Sequence, residues 1–223
     1  MFQRSPLREL AASARGRPPR FLAALLATLA IGLLADAFFE LQPLVAWLRL
    51  DAAVWEQGQL WRLVTFGLVG EGGVGLWSVV QLALVYWFAM ELCVFIGERR
   101  TQVLLVGGVA IAGVTAATVE FLWEVGGGQG SEFAFTMVQG QRTVLAILLP
   151  AFAVRHRHSV LVETHLLFGM PVPTKWLIPM QLIGALASFA ALRDVGGFAG
   201  VLAATWWGAR LPRARARGHS SAA

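Results

Sequence analysis

The sequence predicts an all-α, polytopic membrane protein, on the evidence of its composition, its long apolar stretches and the placement of its basic residues. Of the 223 residues, 57% are hydrophobic and 14% are charged, and the mean hydropathy is +0.65. A soluble core could not bury so many apolar side chains, and a soluble domain would carry about 25% charged residues. The composition therefore excludes an ordinary soluble domain.

Six apolar stretches predict membrane-spanning helices, because about 20 apolar residues are needed to cross the hydrocarbon core. Four of them are separate spans, at residues 21–39, 74–97, 102–125 and 133–154. Residues 176–209 are apolar except at Arg193 and Asp194, which predicts two shorter helices that turn near Leu192. The first stretch has no small-residue cleavage site after it, so we expect it to remain as a span rather than to be removed as a signal peptide.

The basic residues predict that both tails lie in the cytoplasm. Six spans place most of the 18 Lys and Arg residues on one side of the membrane, as the positive-inside rule requires of the cytoplasmic face. These are Arg4, Arg8, Arg15, Arg17, Arg20, Arg99, Arg100, Arg155, Arg157, Lys175, Arg210, Arg213, Arg215 and Arg217. We therefore predict a multi-pass protein of a bacterial-type plasma membrane, with a basic tail at 1–20, a membrane domain at 21–209 and a second basic tail at 210–223. Basic residues placed in this way do not predict nucleic-acid binding.

The segment 40–73 differs from the spans, because Trp47, Trp55 and Trp61 alternate there with charged residues. This pattern predicts a segment that lies at the membrane interface and is partly embedded. We expect Arg62 to hold the segment together by binding backbone carbonyl groups or a carboxylate.

Small and acidic residues inside the spans predict contacts between helices. Small residues four apart occur at Gly108/Ala112, Gly113/Ala117 and Gly196/Gly200, a spacing typical of closely packed membrane helices. Glu91 and Glu120 favour polar contacts within the bundle over a proton path, since no chain of ionisable residues links the two faces.

One motif resembles a known family. The run Gly58-Gln59-Leu60-Trp61-Arg62-Leu63-Val64-Thr65 is similar to the Gly-Gln-x-Trp-Arg-x-x-Thr signature of rhomboid and derlin proteins. The resemblance extends over residues 41–209 through a charged cap at 91–97, a proline-rich entry to the fifth span at 168–177, and Gly196-Gly197 with Gly200 in the sixth span. It implies a six-helix rhomboid-like bundle with a large first outer loop.

The resemblance also implies that catalysis is lost. Active rhomboids cut substrates within the membrane with a serine on the fourth span and a histidine just before the paired glycines of the sixth span. In this chain the nucleophile position is Arg142 and the base position is Asp194. The positions that help to bind the oxyanion, a histidine and an asparagine in the family, are Trp77 and Gln81, and the chain contains no asparagine.

The four histidines support this interpretation. His156, His158, His165 and His219 all fall on the predicted cytoplasmic side, whereas the rhomboid dyad lies toward the outer face. A nucleophilic serine needs a base within hydrogen-bond reach. The sequence thus favours a pseudoprotease with no catalytic residues over a divergent serine protease that uses Ser131, Thr136 or Thr143.

Two arrangements of the charged pair at the dyad positions remain open at this stage. Arg142 and Asp194 can form an ion pair, since intramembrane charges tend to pair. Alternatively, Arg142 reaches the outer interface or binds Asp36, Glu40 or Glu132, while Asp194 caps the sixth span.

The function that the resemblance implies is non-enzymatic. It implies a rhomboid-like protein whose partners are membrane lipids and the transmembrane segments of client proteins, and which affects the trafficking, assembly or degradation of those clients. The alternatives are a divergent rhomboid protease and a small transporter that uses Arg142 as an anion site. No cofactor and no metal site are predicted, because the one cysteine, Cys93, lies in an apolar run and the Arg/His run at 155–158 contains no carboxylate.

Overall fold

The described part of the chain is α-helical except for one two-stranded hairpin. A computed structural model describes residues 19–38, 41–51, 53–69, 75–128, 135–156, 163–167 and 170–210. In chain order the elements are α1 (Arg20–Ala37), α2 (Gln42–Leu48), α3 (Ala53–Glu56), α4 (Arg62–Thr65), a 3₁₀ helix (Phe66–Leu68), α5 (Leu76–Ile96), α6 (Glu98–Val125), α7 (Gln141–His156), β1 (Glu163–Leu167), β2 (Met170–Pro173), a second 3₁₀ helix (Thr174–Trp176), α8 (Leu177–Leu192) and α9 (Val195–Arg210). Nearly all of the two predicted basic tails lies outside the described residues.

Three segments, rather than the six predicted, are long and apolar enough among the described residues to cross a membrane. They are α5, α6 and the segment Thr174–Leu192 that contains α8. Their outward-facing side chains include large apolar residues that are more than half exposed, among them Val106 (60%) and Ile183 (66%). An apolar exterior of this kind is typical of a protein that faces lipid. The chain is therefore an α-helical protein with membrane-spanning character.

The other three predicted spans are shorter. The apolar part of α1 is Arg20–Ala35, and α7 and α9 have 16 residues each, which corresponds to about 24 Å at 1.5 Å per residue. Helix α7 begins at Gln141 rather than near Phe133, because the chain turns at Phe135 and Gly140, both with positive φ. Most side chains of α7 are buried against neighbouring helices, so this helix is apolar without facing lipid.

The predicted turn between the last two helices is confirmed. Helix α8 ends at Leu192, Arg193 adopts a left-handed conformation, and α9 begins at Val195.

Helix α6 is the centre of the bundle and contacts α5, α7, α9 and the short helix α4. Its predicted small-residue contacts are confirmed at Gly113 and Gly108. A Cβ atom at Gly113 would lie 2.5 Å from the carbonyl oxygen of Leu63, and one at Gly108 would lie 2.6 Å from the side chain of Ile147. In α9, a Cβ atom at Gly200 would lie 2.7 Å from the side chain of Val138. Glycine at these positions lets the backbones approach.

Substituting alanine at Gly113 should therefore destabilise the fold. The added methyl group meets a backbone carbonyl that cannot move without its helix, so we expect the free energy of unfolding to fall by about 1–3 kcal/mol. Gly184→Ala in α8 is the matched control, because no atom lies within 4 Å of its Cβ position and alanine is the better helix former. Both variants can be compared by reversible unfolding in mixed detergent micelles. An equal loss at both positions would contradict the close packing at Gly113.

The hairpin lies in the connection that the sequence predicted to be a loop of an all-α protein. Strands β1 and β2 are antiparallel, with Glu163 opposite Pro173 and Thr164 opposite Val172. Pro171 and Pro173 explain the extended backbone of β2, because proline lacks the N–H that a helix needs and restricts the residue before it to extended conformations.

Candidate functional site

The motif that carries the family resemblance is a hydrogen-bonded network in the first loop, centred on Arg62. The Arg62 side chain is buried, and its Nη1 atom donates to the carbonyl oxygens of Ala46 (3.0 Å) and Arg49 (2.9 Å). The same atom lies 2.6 Å from a carboxylate oxygen of Asp51, and Nε donates to Oε1 of Gln59 at 2.5 Å. The expectation that Arg62 binds backbone carbonyl groups or a carboxylate is confirmed, and the side chain binds both.

The other residues of the motif support the same loop. Thr65 donates its hydroxyl to the carbonyl oxygens of Leu48 (3.0 Å) and Trp61 (3.1 Å), and Gly58 has a φ of 68° that favours glycine. The Trp61 ring lies 4.9 Å from that of Trp47, and both rings are exposed. The predicted interfacial segment is thus a lobe of three short helices that presents tryptophan rings on its surface.

Arg142 and Asp194, the two predicted dyad positions, do not meet as an ion pair. Asp194 is fully buried, and its carboxylate accepts hydrogen bonds from the backbone N–H groups of Phe135 (3.0 Å), Met137 (3.1 Å) and Gly197 (2.6 Å). Arg142 is exposed and donates instead to the carbonyl oxygen of Thr136 at 2.9 Å. The predicted pair is therefore wrong, and the alternative in which Asp194 caps the last helix is confirmed.

The capping role of Asp194 follows from its place in the chain. It immediately precedes α9, where a helix leaves its first N–H groups without partners inside the helix, and aspartate is among the best residues to accept from them. Oδ1 accepts from Gly197 at the start of α9 and from Phe135, and Oδ2 accepts from Met137, so one carboxylate joins the start of α9 to the turn that leads into α7. Arg142 lies in the first turn of α7 with an exposed side chain, and among the described residues it donates to the nearby carbonyl group of Thr136.

A second buried carboxylate reinforces the start of α9. Glu120, in α6, is 3% exposed and accepts the N–H of Gly196 at 2.9 Å. The sequence prediction that Glu120 makes a polar contact within the bundle is confirmed. Its partner was not foreseen, because nothing in the local sequence links two residues 76 positions apart.

The predicted oxyanion positions, Trp77 and Gln81, do not share a site. Trp77 is 63% exposed near the start of α5, whereas Gln81 is buried and its Oε1 accepts the side-chain N–H of Gln141 at 2.6 Å. Gln141 is the residue beside Arg142, so Gln81 does lie close to the predicted nucleophile position. The contact with Gln141 was not predicted. The signal for it in the sequence is a glutamine in each of two apolar stretches, because a buried amide needs a hydrogen-bond partner.

The structure describes some of the alternative nucleophiles of a divergent protease and not others. The Thr143 hydroxyl is fully buried and donates to the carbonyl oxygen of Val138, so it is committed to the turn before α7. Ser131 and Glu132 lie outside the described residues, as do Glu40 and the side chain of Asp36. None of the four histidine side chains is among the described ones.

The described side chains offer hydrogen bonding rather than metal chemistry. Both carboxylate oxygens of Asp194 accept backbone N–H groups, and within the described ranges no group of three or more His, Cys, Asp and Glu residues is placed to hold a metal ion. The arrangement around residues 135–142 and 194–200 binds protein segments to one another.

No protein-family model, curated protein or solved structure matches this chain.

Proposed function

We propose that the protein is a catalytically inactive, rhomboid-like membrane protein that binds transmembrane segments of client proteins and affects their trafficking, assembly or degradation. The observation that carries the proposal is the state of the dyad positions. Asp194 uses its carboxylate to hold backbone N–H groups, and Arg142 supplies a cation where a nucleophile would stand. A group committed in this way is not available to take a proton from a substrate or a nucleophile.

Support for the rhomboid-like arrangement comes from the order of the elements. A first helix is followed by a lobe of short helices held by Arg62, and the last helix packs through Gly200 against α6. In this arrangement the three shorter helices complete a six-helix bundle around α6.

Support for client binding comes from α8. Only 6% of the residues in the apolar stretch of Thr174–Leu192 are buried inside the protein. Within α8 the buried residue is Ala185. A polar contact joins this helix to the bundle: Gln181 donates to the hydroxyl of Thr205 at 2.7 Å and to the carbonyl oxygen of Ala146 at 3.2 Å. A weakly packed apolar helix is able to exchange its few contacts for those of another membrane helix.

Photo-crosslinking tests this proposal together with activity. The protein carries p-benzoylphenylalanine at Ile183 of α8, or at Val103 of α6 as the matched control, since these side chains are 66% and 55% exposed. Each variant is reconstituted with a single-span rhomboid substrate. We expect crosslinks to the substrate from residue 183 and not from residue 103, with the substrate left intact.

Two results would contradict the proposal. Equal crosslinking from both positions would mean that α8 has no special affinity for a client segment. Cleavage of the substrate that is lost in Ser131→Ala, together with fluorophosphonate labelling of the wild type, would support the divergent protease instead.

The proposed topology has its own test. Both termini are cytoplasmic in a six-span arrangement, so alkaline phosphatase fused after Ala223 should be inactive and a fluorescent protein fused there should fluoresce. Active phosphatase at this position would exclude an even number of spans with cytoplasmic tails.

A further inference from the structure

Two arginines at the ends of helices stack on aromatic rings. The guanidinium carbon of Arg155, near the end of α7, lies 4.9 Å from the centre of the Phe95 ring in α5. The guanidinium carbon of Arg210, the last residue of α9, lies 4.0 Å from the centre of the Trp206 ring. Stacking of this kind holds the guanidinium plane in place and leaves the N–H groups at its edge free to face outward.

The two stacked arginines lie at the same end of the bundle. The contact with Phe95 places the end of α7 beside the end of α5, and α6 starts there after a single residue, Gly97. The end of α9 is fixed to the same region, because the indole N–H of Trp207 donates to the carbonyl oxygen of Leu104 at 3.0 Å, two turns into α6.

This end of the bundle carries further exposed cations. Arg99 and Arg100 occupy the first turn of α6, and Lys175 lies in the second 3₁₀ helix, which leads directly into α8. The start of α8 belongs to this end because Gln181 contacts Thr205 on the oppositely directed α9. The described acidic residues nearby are Glu98, also in the first turn of α6, Glu91, about one and a half turns before the end of α5, and Glu163 of β1, which lies opposite Pro173. Positive charge therefore exceeds negative charge on this surface.

We propose that this surface, formed by Arg99, Arg100, Arg155, Lys175 and Arg210, binds the phosphate headgroups of anionic phospholipids. Arg155 and Arg210 are the principal contacts. A guanidinium group matches the geometry of phosphate oxygens with paired N–H donors, and a ring that holds it in advance reduces the ordering that binding requires. Trp206 is exposed and apolar, which suits it to the boundary between headgroups and acyl chains. Clustered basic residues at the ends of membrane helices are attracted to anionic lipids. The inference does not depend on client binding.

Native mass spectrometry of the full chain in detergent tests the proposal. Palmitoyl-oleoyl phosphatidylglycerol is titrated against wild type and against Arg155→Gln/Arg210→Gln, with phosphatidylcholine of the same acyl chains as the reference lipid. We expect wild type to prefer phosphatidylglycerol, and the double variant to bind it about 30-fold more weakly, the change that corresponds to about 1 kcal/mol for each lost cation. Arg193→Gln is the matched control, since Arg193 is exposed between α8 and α9 at the opposite end.

Four outcomes would contradict the proposal or one of its parts. Equal binding of the two lipids by wild type would remove the headgroup preference, and an equal loss in Arg193→Gln would remove the location. Competition by glycerol phosphate at the concentration of the lipid would mean that the site takes a soluble phosphate rather than a membrane lipid. Arg155→Lys/Arg210→Lys separates stacking from charge: we expect intermediate binding, and wild-type binding would overturn the role of the stacked guanidinium groups.

Discussion

Replacing Asp194 with leucine should lower the free energy of unfolding by more than about 3 kcal/mol. The substitution keeps the size of a buried side chain and removes the acceptor for the N–H groups of Phe135, Met137 and Gly197. Each buried N–H left without a partner costs about 1–3 kcal/mol. Reversible unfolding in mixed micelles, followed by tryptophan fluorescence, measures the loss.

Asparagine at position 194 and leucine at position 142 are the controls for this result. Asp194→Asn keeps one acceptor oxygen, so we expect a smaller loss than for leucine. Arg142→Leu should cost less than about 1 kcal/mol, because the side chain is exposed and makes one hydrogen bond to Thr136. In the double leucine variant the two losses should add within about 0.5 kcal/mol, as they do for residues that do not interact. Recovery of stability in the double variant would mean that Arg142 and Asp194 do interact, as an ion pair would.

Replacing Arg62 with leucine should be the second most damaging change, with a loss of about 2–4 kcal/mol from several hydrogen bonds to a charged donor. The variant leaves the carbonyl groups of Ala46 and Arg49 and the side chain of Gln59 without their donor, in a network that is partly buried. The ion pair itself contributes little of this, because the side chain of Asp51 is 50% exposed and water screens the attraction.

Lysine and asparagine variants separate the two contributions at Arg62. Arg62→Lys keeps the charge but cannot reach several acceptors with a fixed fork of donors, so we expect most of the loss to remain. Asp51→Asn should cost less than about 1 kcal/mol. Limited proteolysis of the first loop and the emission of Trp47 and Trp61 report whether the lobe itself opens. A fully stable Arg62→Lys variant would mean that charge, rather than donor geometry, holds the loop.

The local sequence determined a large part of this fold. Hydropathy and length predicted α5 and α6 to within a few residues of their observed start points, and the interruption at Arg193 and Asp194 predicted the turn between the last two helices. The role of Arg62 was also predictable, since an arginine between tryptophans in a largely apolar segment needs acceptors close to it in the chain. These features depend on interactions within about 20 residues, which a pattern in the sequence records directly.

Only the tertiary structure decided what Asp194 and Glu120 bind. The partners of Asp194 at Phe135 and Met137 lie 59 and 57 residues away, and the partner of Glu120 lies 76 residues away. Hydropathy measures how readily a residue leaves water, and it contains no information on which buried N–H group will lack an acceptor once the helices pack. For this reason Asp194 binds backbone N–H groups instead of forming the expected ion pair. The N–H groups at the start of α9 and before α7 lie beside its carboxylate, whereas the Arg142 side chain is exposed.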